Sequence, residues 1–122
     1  MARILVADDD IVIRQVLKQH LEEAGYDVLV AQNGEEALKL SQGTSVDLLI
    51  TDIIMPKKEG LETITEFRRH FPSVKIIAMS GGGTGEADVY LDIAKRLGAQ
   101  KIFAKPFDLR ELLEGVRKLI GE

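Results

Sequence analysis

The chain contains no cysteine among its 122 residues, and aromatic residues make up only 5% of it. Without cysteine, a disulfide framework, a thiolate metal site and a cysteine nucleophile are excluded. Two histidines alone argue against a structural zinc site, so any metal ion would be held by oxygen atoms. Hard oxygen ligands favour magnesium, manganese or calcium. The few aromatic side chains offer no obvious anchor for a protein interface.

Long apolar runs and an excess of basic residues are also missing. No segment approaches the roughly 18 consecutive apolar residues that are needed to cross a bilayer. The net charge of −4 leaves no basic stripe that would bind nucleic acid through its phosphates. Met1 leads directly into an apolar segment, without the basic and apolar regions of a signal peptide. These absences predict a cytoplasmic protein that contacts neither membrane nor nucleic acid directly.

The length and the order of apolar patterns predict one domain, residues 1–122, in which strands and helices alternate. Such an alternation is typical of an α/β fold, whose parallel sheet carries helices on both faces. The predicted strands are Arg3–Ala7, Val28–Ala31, Leu48–Thr51, Lys75–Met79 and Lys101–Ala104. The predicted helices are Ile13–Ala24, Gly34–Leu40, Leu61–His70, Ala87–Leu97 and Leu109–Ile120.

Polar side chains occur where four of the predicted strands end. Asp8 and Asp9 follow the first strand, Asp52 the third, Ser80 the fourth and Lys105 the fifth. Ligands of open α/β sheets bind at the carboxyl ends of the strands, so we expect these side chains to lie together. The carboxylates predict a site for Mg²⁺, with Mn²⁺ as the alternative ion, because a divalent cation offsets their charge. The ammonium and hydroxyl groups suit a phosphoryl group beside it, and a carboxylate can act as a nucleophile towards phosphorus.

Taken in order, these motifs resemble those of the receiver domains of two-component response regulators. The matching segments are Ile4–Asp10, Asp52–Pro56 with Gly60, Met79–Gly81 and Lys105–Phe107. The resemblance covers essentially the whole chain. It implies a chemotaxis-regulator-like, flavodoxin-like (βα)5 fold, in which a doubly wound, five-stranded parallel sheet has the order 2-1-3-4-5. It also implies that a phosphoryl group passes from a kinase phosphohistidine to an aspartate with the help of Mg²⁺.

The same resemblance implies a role for each matching residue. The residues that would act on the phosphoryl group are Asp52 as its acceptor, and Ser80 and Lys105 as ligands of its oxygens. The metal ligands would be Asp9 as the main carboxylate, Asp8 through metal-bound water, Asp52, and the backbone carbonyl of Ile54.

Three consecutive acids leave two choices for the metal pair, Asp8 with Asp9 or Asp9 with Asp10. Receiver domains usually carry a basic residue five positions after the second acid of the pair, and Arg14 lies five positions after Asp9. Asp8 is also the first residue after the predicted strand. We therefore prefer Asp8 and Asp9, which leaves Asp10 to cap the first helix.

Some positions depart from the family pattern. Receiver domains often have an aromatic residue three positions before the lysine, but Ile102 occupies that position here. The switch is therefore expected to work without a large aromatic rotor. A glycine-rich segment, Gly81–Gly85, follows the predicted phosphate-binding serine. Ile54 and Gly82 occupy the positions that influence dephosphorylation, and neither side chain can orient a water, which predicts a long-lived phosphoryl group.

The leading hypothesis is a phosphorylation-driven signalling switch and not an enzyme acting on an external metabolite. Its activities would be limited to its own phosphorylation and dephosphorylation. Its partners would be a sensor histidine kinase or a histidine phosphotransfer domain, and a downstream protein or output domain outside this chain. Phosphorylation would change the surface of the fourth helix, fifth strand and fifth helix, with dimer formation as a further readout. The alternative is a phospho-independent interaction scaffold of the same fold.

Overall fold

The structure is a computed structural model that describes residues 2–53, 59–80 and 92–121. Five strands form one sheet, and every neighbouring pair runs parallel in the order β2-β1-β3-β4-β5. The strands are β1 (Arg3–Ala7), β2 (Asp27–Ala31), β3 (Leu48–Asp52), β4 (Lys75–Ser80) and β5 (Lys101–Ala104). The predicted α/β class and the strand order implied by the resemblance are both confirmed. The order reverses at β1, which places the carboxyl ends of β1 and β3 side by side.

Helices cover both faces of this sheet. They are α1 (Ile11–Glu23), α2 (Gly34–Gly43), α3 (Glu59–His70), α4 (helical residues 92–97) and α5 (Leu109–Ile120). The predicted bounds of α5 are confirmed. The α2 helix continues past Leu40 to Gly43, and α3 begins before Leu61 at Glu59. Of the predicted fourth helix, the part before residue 92 lies outside the described residues.

Side-chain caps and glycines set where several helices begin and end. The Asp10 carboxylate accepts a hydrogen bond from the amide of Val12 at 2.9 Å, so the predicted cap of α1 is confirmed. Asp108 caps α5 in the same way, accepting from an amide of the first turn. Gly25 follows α1 with a φ of +100° and Gly98 follows α4 with a φ of +128°, a conformation that L side chains rarely adopt.

Two apolar clusters hold the sheet, one on each face. On one face the helices α1 and α5 contribute Leu17 and Leu112, and on the other face α3 contributes Phe67. Every residue of β3 is buried, which explains why its first three residues, Leu48–Ile50, are apolar on both faces. Full burial of one large apolar side chain stabilises the fold by roughly 1.5–3 kcal/mol. The strand ends that carry the polar residues are therefore anchored from both sides.

Among the described residues, no helix combines the length and the apolarity that a bilayer span requires.

Candidate functional site

Asp8 lies directly after β1 and is fully buried, with 0% of its surface exposed. Its amide donates to the carbonyl of Ala31 at 3.1 Å, and its carboxylate accepts from the amide of Asp10 at 2.9 Å. Its own carbonyl accepts from Nη1 of Arg14 at 2.7 Å. Backbone and side-chain contacts therefore fix this carboxylate in one orientation.

Lys105 follows the edge strand β5, and its side chain contacts the aspartates at the ends of β1 and β3. Its Nζ lies 3.0 Å from Oδ2 of Asp8 and 3.2 Å from Oδ2 of Asp52. The side chains of Lys105 and Asp52 are 18% and 8% exposed, so the group is largely shielded from water. The amide of Lys105 also donates to the carbonyl of Ser80 at 2.7 Å, which ties the start of the β5–α5 loop to the end of β4. The structure thus brings the predicted lysine and two of the predicted acids together.

The pKa of Lys105 reflects two opposing effects. Burial on its own would lower this pKa, because the ammonium group loses hydration. Hydrogen bonds and negative charges from Asp8 and Asp52 together outweigh burial, and they raise the pKa above its ordinary value of 10.5. Lys105 therefore stays cationic at neutral pH and can attract an anionic group.

Asp9 completes a group of three carboxylates. Asp8, Asp9 and Asp52 each offer one oxygen, and these oxygens all lie within 4.8 Å of one another. Asp9 is exposed, whereas Asp8 and Asp52 are buried. Among the described residues, Lys105 is the cation in contact with this group, and one ammonium does not offset three carboxylates. An oxygen-only ligand set of this kind fits a hard cation such as Mg²⁺. The residues present therefore suit the predicted ion.

Ser80 is the last residue of β4 and is fully buried, with 0% exposed. Its neighbours in the sheet are the two strands that end in Asp52 and lead into Lys105. Within the described ranges its Oγ has no hydrogen-bond partner. A buried hydroxyl left in this state costs about 1–3 kcal/mol, which a bound acceptor such as a phosphoryl oxygen would recover.

Two residues at the site received no role from the sequence pattern. Gly60 lies in α3 against the end of β3, and a Cβ at this position would overlap the carbonyl oxygen of Asp52 and the Cα of Ile53. In the sequence pattern Arg14 matters only for its spacing from the acids, yet its side chain donates a hydrogen bond to the backbone carbonyl of Asp8. Both contacts depend on how α1 and α3 pack against the ends of the strands. The hydrophobic periodicity of the sequence does not predict this packing.

Several predicted features lie outside the described residues. The carbonyl of Ile54, predicted as a metal ligand, is one of them. The glycine-rich segment Gly81–Gly85, which includes Gly82, is another. The long lifetime of the phosphoryl group, inferred from Ile54 and Gly82, therefore stays a prediction.

Comparison with known families gives one match over most of the chain. Residues 4–117 match the model of the response regulator receiver domain. Among curated relatives, the transcriptional regulatory protein CpxR of Klebsiella pneumoniae is 40% identical over 120 residues, which cover 98% of this chain and 50% of that protein. The alkaline phosphatase synthesis transcriptional regulatory protein PhoP of Bacillus subtilis is 36% identical, over 97% of this chain and 48% of the relative. The chain thus spans about half the length of these relatives.

Solved structures give the same result. The response regulator TrrA of Thermotoga maritima, in complex with Mg²⁺ and a beryllium fluoride, matches with a TM-score of 0.84 and 40% identity, over 98% of this chain and 99% of that one. A CheY-like receiver domain protein of Methanospirillum hungatei matches with a TM-score of 0.88 and 31% identity, over 99% and 94% of the two chains.

Proposed function

This chain belongs to the response regulator receiver domain family, and we propose that it is a signalling switch which accepts a phosphoryl group on Asp52. The observation that carries the proposal is the buried contact of Lys105 with both Asp8 and Asp52, at 3.0 and 3.2 Å. Burying an ammonium and two carboxylates costs hydration free energy that their attraction does not always recover, so such a group is weak evidence for stability. Buried charged groups of this kind are typical of reactive sites. The hydroxyl of Ser80 lies at the adjacent strand end and has no hydrogen-bond partner among the described residues, so it would supply a further donor.

In the proposed reaction, a carboxylate oxygen of Asp52 attacks the phosphorus of a phosphohistidine. The new P–O bond forms as the P–N bond breaks, and the bonding electrons stay on the imidazole nitrogen, which takes up a proton. The product is an acyl phosphate on Asp52 and a neutral histidine on the donor. With acetyl phosphate as the donor, the P–O bond breaks instead and acetate leaves.

Other residues of the chain would assist this transfer through charge and hydrogen bonds. Lys105 stays protonated because its pKa is raised, so it can offset charge on the phosphoryl oxygens. The Ser80 hydroxyl would donate to one of those oxygens. A divalent ion held by Asp8, Asp9 and Asp52 would add positive charge beside the same oxygens. The backbone carbonyl of Ile54, predicted as the third protein ligand beside Asp9 and Asp52, belongs to this proposal as well.

The proposed output surface is formed by α4, β5 and α5. Phosphorylation adds about 1.5 to 2 negative charges, and Lys105 connects that charge directly to the end of β5. On this strand Ile102 is 37% exposed, whereas Phe103 is half-buried and packs against Phe107 with ring centroids 6.0 Å apart. The outward position thus carries an aliphatic side chain, and we propose that the switch acts by shifting β5 and its loop instead of rotating an aromatic ring.

The proposed phosphodonor is a sensor histidine kinase or a histidine phosphotransfer domain. The readout would lie outside these residues, in an output domain or a partner protein, or in dimer formation upon phosphorylation. Loss of the phosphoryl group by hydrolysis would reset the switch. Direct binding to nucleic acid or membrane is not part of the proposal, and the cytoplasmic location and the single-domain boundaries stay predictions.

The proposal is tested by the intact mass of the protein after incubation with acetyl phosphate, with and without Mg²⁺. Wild type should gain the mass of one phosphoryl group only with Mg²⁺, and Asp52→Asn should gain none. Asp47→Asn is the matched control, because Asp47 lies just before the same strand at its opposite, exposed end. It should be phosphorylated like wild type.

Failure of wild type to gain a phosphoryl group, combined with failure to bind beryllofluoride, would overturn the proposal in favour of the scaffold hypothesis. Equal phosphorylation of wild type and Asp52→Asn would place the acceptor elsewhere.

A further inference from the structure

Asp8 and Asp9 share one peptide group, and the structure shows what holds it. The carbonyl oxygen of that peptide belongs to Asp8, and it accepts a hydrogen bond from Nη1 of Arg14 at 2.7 Å. The backbone amide of Arg14 donates to the carbonyl of Asp10 at 3.1 Å. One residue, a single turn into α1, therefore holds the acidic segment on both sides of Asp9.

The two acids differ in how they are held. Each polar atom of Asp8 has a partner, since its amide, carbonyl and both carboxylate oxygens take part in hydrogen bonds. For the carboxylate of Asp9, no hydrogen bond or ion pair is found within the described residues, and the residue is exposed. The position of Asp9 is consequently set by its backbone, and the peptide plane that Arg14 holds is one of the two that meet at its Cα.

We propose that Arg14 is a positioning residue for the cation site. It fixes the Asp8–Asp9 peptide and so holds the Asp9 carboxylate where one of its oxygens lies within 4.8 Å of carboxylate oxygens of Asp8 and Asp52. The guanidinium group suits this task because it is planar, permanently charged and half-buried. A hydrogen bond from a charged donor is roughly twice as strong as one between neutral groups. This inference rests on the proposed function, since it concerns the same cation site.

Lys18 provides a matched control on the same helix. It lies one turn after Arg14, carries the same charge, and lines the same surface hollow together with Ile11, Gln15 and Val30. Its Nζ is paired with Glu22 at 2.6 Å and not with the acidic segment. Arg14→Met and Lys18→Met therefore change the net charge equally, but only the first removes the bond to Asp8.

The test is the affinity of the unphosphorylated protein for Mn²⁺, followed by water-proton relaxation and repeated with Mg²⁺ by calorimetry. Removing a residue that orients a metal ligand lowers affinity by 10 to 100-fold in well-studied sites, so we expect a loss of about tenfold for Arg14→Met. Lys18→Met should stay within about twofold of wild type, as expected for an exposed charge. Arg14→Lys keeps a charged donor and should restore most of the affinity.

Phosphorylation by acetyl phosphate gives an independent readout. The Mg²⁺ concentration for half-maximal rate should rise in Arg14→Met, while the rate at saturating Mg²⁺ should approach that of wild type. A general loss of structure would instead lower the saturating rate, and urea denaturation measures that loss directly. If Arg14→Met does not fold, Arg14→Gln and Lys18→Gln replace the pair with the same expectations.

Equal cation affinities of the Arg14 and Lys18 variants would overturn the proposal. So would a failure of Arg14→Lys to bind more tightly than Arg14→Met. Either result, with wild type binding the ion and accepting the phosphoryl group, leaves the proposed function intact. Absence of cation binding in wild type itself would contradict both.

Discussion

At each end of the sheet one basic residue bonds to two aspartates, but the surroundings differ. At the amino end, Nε of Arg3 lies 2.7 Å from Asp27, and its backbone amide donates to Asp47 at 2.8 Å. The side chains of Arg3 and Asp27 are 36% and 47% exposed. At the carboxyl end, Lys105 contacts Asp8 and Asp52, whose side chains are 0% and 8% exposed.

Both ends pair a basic residue with aspartates, so the residue types do not distinguish them. The difference between a surface ion pair and the candidate site is burial. Exposed pairs contribute about 0–1 kcal/mol, because water solvates both partners well when they are apart. Buried charges lose their hydration and need partners that restore it. Among the described residues, the group at the carboxyl end has one ammonium for three carboxylates. Such an excess of negative charge is explained better by a cationic ligand than by a contribution to stability.

The largest expected effect comes from removing the basic side chain at each end. Lys105→Met leaves two buried carboxylates without their cation and should lower the free energy of unfolding by about 3 kcal/mol. Arg3→Met removes an exposed partner and should cost less than about 1 kcal/mol. Urea denaturation at neutral pH without divalent cations measures both changes. Equal losses would show that burial does not distinguish the two ends.

A second contrast uses two helix glycines. Gly60→Ala should lower the free energy of unfolding by about 2 kcal/mol, because overpacking forces backbone to move, and here the backbone belongs to Asp52 and Ile53. Gly43→Ala should raise it by about 0.5 kcal/mol, because among the described residues nothing beyond its chain neighbours and its own helix backbone lies within 4 Å of the added methyl group. Urea denaturation compares the two variants, and the rate of phosphorylation by acetyl phosphate should fall only for Gly60→Ala. An unchanged rate in Gly60→Ala would show that the contact does not position Asp52.

Much of this fold could be predicted because burial leaves a pattern in the sequence: a continuous apolar run in a strand covered on both faces, and a helical period in a helix covered on one. The strand β3 begins with the continuous apolar run Leu48–Ile50, because both of its faces are covered. The helix α5 carries an apolar stripe, and its bounds are the predicted ones. The strand order could not be obtained from periodicity, because periodicity marks which segments form strands but not which strands pair. It came from the resemblance to receiver domains.

The candidate site divides in the same way. Asp8, Asp52 and Lys105 could be placed together because parallel strands end at a common edge. The contacts of Arg14 and Gly60 could not, since they depend on the angle and depth at which α1 and α3 meet the strand ends. The predicted strands Leu48–Thr51 and Lys75–Met79 each end one residue too early, because Asp52 and Ser80 are polar but still pair as the last residues of β3 and β4.

A smaller effect is expected from the divalent cation. Mg²⁺ at ten times its dissociation constant should raise the free energy of unfolding of wild type by about 1.4 kcal/mol, because it binds the folded state. Asp9→Asn should lose most of this gain, whereas Asp27→Asn, at the amino end, should keep it. Urea denaturation with and without Mg²⁺ gives the comparison. A gain retained in Asp9→Asn would remove Asp9 from the predicted ligands.

The pH dependence of stability provides the finest distinction between the two ends. The pKa of Lys105 is raised in the folded protein, so the stability that its protonation contributes is fully present below 10.5 and declines as pH rises through the folded pKa. The stability difference between wild type and Lys105→Met should therefore be constant near neutral pH and narrow above 10.5. The difference between wild type and Arg3→Met should not narrow in this way, because guanidinium stays charged. Urea denaturation of the three proteins across this range makes the measurement, and subtraction removes the titration of groups that they share. Suppose instead that the stability difference between wild type and Lys105→Met widens at alkaline pH. Burial would then lower the pKa of Lys105 by more than its interactions with Asp8 and Asp52 raise it.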